Sequence, residues 1–130
     1  MTKQEIGKKL AEIRNGCKVD NTMTEYAIQS IEQCRSSYPV SNLVALCNTL
    51  KVQLYMEDTN TGEKYPVDSV EDCHEIIGFL MSRYETDEKE IYRLTGTHYT
   101  LPKGTNQHLS INTLYDVCKA LNADLSLLIR

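Results

Sequence analysis

Tryptophan is absent from this 130-residue chain and phenylalanine occurs once, against eight tyrosines. The tyrosines are scattered, and Tyr55, Tyr65 and Tyr99 read as half-buried or interface residues. No apolar run approaches the roughly 20 residues that a membrane span needs. The opening MTKQEIGKKL is charged and amphipathic, not an apolar leader. The chain is therefore expected to be cytoplasmic and without membrane contact. Cys-x-x-Cys is missing, and the five cysteines (Cys17, Cys34, Cys47, Cys73, Cys118) are odd in number, which argues against a disulfide framework. An excess of basic residues is also missing. The net charge is −4, and residues 59–130 carry the acidic surplus while residues 1–58 are balanced. Any contact with phosphate thus favours the first half.

Signs of catalysis are equally sparse. Cysteine and histidine occur, but no nucleophile motif surrounds them. Gly62-Glu63-Lys64 lacks the preceding glycine and the following helix of a phosphate loop. Cys73-His74, His98 and His108 fit no common zinc spacing. The expectation is a protein that is not an enzyme and needs no metal or cofactor.

What is present is a repeat. Leu43 to Leu54 reads LVALCNTLKVQL and Leu114 to Leu125 reads LYDVCKALNADL. Both fit Leu-x2-(Leu/Val)-Cys-x2-Leu-x3-Leu without a gap, at an offset of 71 residues. Val40 and Ile111 precede the two segments at the same spacing. Upstream, Ile6, Leu10 and Arg14 answer to Ile76, Leu80 and Arg83 at an offset one or two residues smaller. A copy of about 60 residues is near the lower limit for burying enough surface to fold alone. Residues 1–68 therefore read as helical repeat one with a β-hairpin. Residues 69–130 read as helical repeat two with a terminal strand, the two packed as one compact unit. Cys47 and Cys118 fall on apolar stripes, where a reduced thiol acts as a small buried hydrophobe.

Periodicity places the elements. Ile6, Leu10 and Ile13 share one helix face, with Asn15-Gly16 as the stop. Cys17 to Thr22 is a turn-rich connector. A second helix is expected from about Met23 to Cys34, with Thr24 as a cap and Tyr26, Ile28 and Ile31 as apolar positions. A third follows from Val40 to Leu50. Val52, Leu54 and Met56 alternate with Gln53, Tyr55 and Glu57 at strand period, and Lys64 to Val67 returns as the other arm of a hairpin. Pro66 confines that arm to an edge or a strand end. Copy two gives helices over Val70–Tyr84, Asp87–Leu94 (ended by Thr95-Gly96) and Ile111–Leu121 (capped by Ser110), then a strand over Leu125–Ile129. The fold class is mainly α with a small β element, its short strands gathered into one sheet.

The segment from Ile28, IQSIEQCRSSYPVSNLVALCNTLKVQL, resembles the Cro/lambda-repressor-like (XRE-type) helix-turn-helix family. Ile28, Ile31, Glu32, Cys34 (where the family has Gly) and Pro39 stand in register with its pattern. Copy two resembles the same family through LTG at Leu94–Gly96, LPKG at Leu101–Gly104 and SINTLYDVCKAL at Ser110–Leu121. The chain thus reads as two degenerate lambda-repressor-like repeats in tandem. The spacing from Arg14 to Glu32 is shorter than the family pattern by about one helix and its turn. Pro102 sits where copy two's reading helix should end.

The resemblance implies a DNA-binding transcriptional regulator, such as those of bacterial mobile elements, with double-stranded DNA as partner and the tandem copies mimicking two half-sites. It implies base contacts from Thr24, Glu25, Gln29 and Gln33, and phosphate contacts from Arg35 and Ser36. Copy two offers Lys103 for the backbone. A positive patch around Lys18, Arg35 and the face of Gln29 is required. The alternative is a protein-interaction or dimerisation module that has lost DNA binding and forms a homodimer through strand edges.

Overall fold

The computed structural model describes residues 1–15, 25–34, 37–102 and 108–129. The connector over 17–22 and the expected cap Thr24 lie outside them. The elements run α1 (Lys3–Asn15), α2 (Glu25–Gln33), α3 (Val40–Thr49), β1 (Val52–Asp58), β2 (Lys64–Val67), α4 (Val70–Arg83), α5 (Glu88–Thr95), α6 (Ile111–Leu121) and β3 (Ala123–Ile129). The fold is mainly α with one three-stranded antiparallel sheet in the order β2-β1-β3. Pro66 lies on the edge strand β2, where its missing N–H costs the sheet least. Among the described residues no helix is long and apolar enough to cross a membrane.

Local signals bound the helices of the second half. Ser69, Asp87 and Ser110 accept the N–H groups of Asp72, Glu90 and Thr113, satisfying donors that a helix start leaves free. Gly96 closes α5 at φ 74°, in the left-handed region. In α3 the position equivalent to Ser110 is Pro39, which has no capping side chain.

The strand register has a symmetry that ties the halves together. β1 and β3 pair from Val52↔Ile129 to Asp58↔Ala123, so the central pair is Tyr55↔Ser126. Ser126 stands 71 residues after Tyr55, the same offset that relates the two Leu/Cys segments. An antiparallel ladder centred on two equivalent residues is the register that a local two-fold axis demands. A second contact obeys the same relation. Pro39 and Ser110 form an isolated bridge. The Val40 N–H donates to the Leu109 carbonyl and the Ile111 N–H donates to the Tyr38 carbonyl, both at 2.8 Å. Each bond is the other's image, and each supplies a partner for the first N–H of α3 or α6 from the opposite half. Lys51 and Asn122, also equivalent, both turn helix into strand with φ near 58° and 54°.

The core follows this plan. Leu43, Leu46, Cys47 and Leu50 of α3 and Leu114, Val117, Cys118 and Leu121 of α6 are all buried. They join Ile6, Leu10, Ile77, Leu80 and Ile91 in one cluster, with Val52, Leu54, Met56 and Leu125 facing it from the sheet. Burial pushes the Cys73 thiol up to about 12 and the Cys118 thiol higher still, so neither is a nucleophile at neutral pH. Gln53, which alternates with the apolar positions of β1, is buried as well. Its amide donates to the Leu54 carbonyl and to Asp68, which offsets the cost of its burial.

Candidate nucleic-acid interface

The second helix of the first half carries the expected reading residues. Ile28 and Ile31 of α2 enter the core, which turns Glu25, Gln29 and Gln33 outward at four-residue spacing. Glu25 and Gln33 are exposed and Gln29 is half-buried. The Gln29 amide donates to Glu25 Oε1 at 3.5 Å. Thr24, Arg35, Ser36 and Lys103 lie outside the described residues, as does Lys18.

Tyr26 corrects the sequence reading. Expected on the apolar stripe, it is 78% exposed, the most exposed large hydrophobic residue of those described. The signal was available. At about 100° per residue, Tyr26 stands roughly 200° from Ile28 and 140° from Ile31, opposite their face and beside Gln29 and Gln33. The outer face of α2 thus presents two amides, one carboxylate and one phenol.

Two features hold α2 in place. Arg14 at the end of α1 pairs with Glu32 through two of its guanidinium nitrogens, Nε to Oε2 at 2.6 Å and Nη2 to Oε1 at 2.8 Å. These are the two residues whose short spacing marked the departure from the family pattern. Such a fork-to-fork pair fixes orientation as well as distance. Gly7 of α1 lies against the end of α2. A Cβ there would lie inside van der Waals distance of the Ile31 carbonyl oxygen and 3.0 Å from that of Glu32. Cys34 then follows the helix at φ 53°, a left-handed conformation that glycine adopts most readily.

The middle helices of the two halves are not counterparts. The offset that superposes α3 on α6 and β1 on β3 carries residues 25–33 onto 96–104, beyond the end of α5. The described segment of that stretch, 96–102, has no helix. It is pinned in an irregular path. The Thr97 hydroxyl bonds Asp116 at 2.5 Å, the Tyr99 hydroxyl lies 2.6 Å from His74 Nδ1, and the Leu101 N–H donates to Glu88 at 3.0 Å. Pro102 follows. Helix α5 itself opens with Asp87, Glu88 and Glu90, an acidic start suited to the helix dipole and unsuited to phosphate. Among the described residues, α2 thus has no helical counterpart in the second half at the same offset.

Comparison of the chain with protein-family models, with curated proteins and with solved structures finds no match.

Proposed function

We propose that this chain is a DNA-binding transcriptional regulator of helix-turn-helix type that reads duplex DNA with the outer face of α2. The observation that carries this reading is the Arg14–Glu32 clamp beneath an outward row of Gln29 and Gln33. A helix that reads base edges must be held rigidly on its own domain, and glutamine amides match the donor–acceptor pair on adenine. The second half presents no such helix within 96–102. The reading therefore rests on one half-site per chain, in place of two half-sites from the tandem copies.

Fluorescence anisotropy with labelled random duplex is the test. Binding is expected at low salt and should fall steeply as salt rises, because counterions are released from phosphate. Gln29→Ala and Gln33→Ala should each weaken binding to a preferred site by about 1–3 kcal/mol. Glu25→Gln should strengthen binding to all sequences by removing a charge that repels phosphate. Absence of binding at low salt overturns the proposal.

A second reading has its own support: the acidic surplus of residues 59–130 and the carboxylate on the outer face of α2. In that reading the same fold is a protein-interaction module without affinity for DNA. The anisotropy experiment separates the two.

A further inference from the structure

The two-fold relation between the halves breaks down at the sheet edges. β1 has β2 along its outer side, whereas β3, its counterpart, is an edge strand. The carbonyl of Leu125 accepts the Met1 amine at 2.8 Å, and its N–H is met by its neighbour Asp124 at 2.9 Å. Both groups of Leu125 therefore point away from β1. Antiparallel alternation then turns the N–H and C=O groups of Leu127 and Ile129 the same way. No strand covers them among the described residues. The side chains at this end of β3 are also open: Leu128 is 59% and Ile129 62% exposed. Unpaired edge groups beside exposed apolar side chains are the pattern that strand addition uses.

We propose that the Leu127–Ile129 edge pairs with the same edge of a second copy of this chain, antiparallel and centred on Leu128. The geometry of this edge selects a second copy as the occupant. An antiparallel strand is complementary to itself about a two-fold axis, and this chain already joins β1 to β3 in that manner. Centring on Leu128 sets Leu127 opposite the partner's Ile129 and the reverse, so all four outward groups of each strand find partners. It also brings the two Leu128 side chains face to face and leaves Asp124 well outside the paired segment, so no like charges meet. The register stops short of Leu125, whose edge groups are already taken. The product is a continuous six-stranded sheet, β2-β1-β3 followed by its two-fold image. The proposal does not depend on the DNA reading.

The test uses the full chain. Sedimentation should show the weight-average mass rising with concentration toward twice the monomer value, and the amides of Leu127 and Ile129 should show concentration-dependent NMR shifts. Leu128→Lys and Leu128→Glu, at an exposed position, should leave the thermal melt of the dilute protein unchanged. Each alone should weaken self-association about five-fold, because the Leu128 contact is lost and like charges then face each other across the axis. An equimolar mixture of the two should recover a heterodimer. A wild-type chain that stays monomeric up to about 1 mM, the weak end of specific association, overturns the proposal. So does a dimer whose shifted amides lie elsewhere, or one that both charged variants leave intact.

Discussion

At the residue scale, Gly7 and Tyr26 show what a side chain's position on a helix decides. Gly7→Ala improves local helix propensity by up to about 1 kcal/mol. It also drives a methyl into the Ile31 carbonyl oxygen, which is backbone and cannot swing aside. Overpacking of this kind costs about 1–3 kcal/mol, so the substitution should destabilise, and chemical denaturation should show a lower midpoint. The same shift should loosen α2 and weaken any DNA binding. No periodicity reveals Gly7, because a close approach between helices is a property of two segments at once. Tyr26 was legible in principle, since its angle around the helix separates it from Ile28 and Ile31. An apolar ring is a weaker sign of burial than its angle on the helix. Arg14 and Glu32 were visible as motif residues, but only three-dimensional placement joins them.

At the element scale, local punctuation was the dependable guide. Ser110 and the Thr95-Gly96 stop bound their helices where patterning placed them, because a cap acts within one turn of its helix. The strands were legible too, Val52, Leu54 and Met56 by alternation. The non-equivalence of α2 and α5 was not, since both follow an Ile/Leu helix and both carry two spaced apolar residues. Distance along the chain to α3 and α6 is what separates them. Asp58 was also missed. It is a buried carboxylate at the end of β1 that accepts Arg83 Nη1 at 2.9 Å, the Tyr84 hydroxyl at 2.5 Å and the Asn60 N–H at 3.0 Å, fastening the hairpin to the end of α4. Burial alone would raise its pKa, but these hydrogen bonds and the guanidinium outweigh it and hold it below the usual carboxylate range. A depressed folded value means that the contribution to stability is complete above the ordinary aspartate value of about 4 and is lost as pH falls through the lower folded value. Asp58→Asn should therefore lower the melting temperature at neutral pH. It should also flatten the stability–pH curve below about pH 4, measured by thermal melts across that range.

At the scale of the whole molecule, the halves share one core, one ladder and two reciprocal helix caps. Heat and urea should each unfold the chain in a single transition, with far-UV circular dichroism and tyrosine fluorescence coincident. Leu46→Ala in the first half and Leu114→Ala in the second should each lower that one transition by about 2–5 kcal/mol without splitting it. Two separated transitions would show halves that fold independently. The pairing of β1 with β3 carries a further meaning. Dilution cannot separate strands that belong to one backbone, because the tether keeps their effective concentration constant. In an assembly of identical chains every change is imposed on both partners. Here each side of the axis is free to change alone, which is how a polar, outward helix on one side coexists with an anchored, irregular segment on the other while the seam between them stays matched.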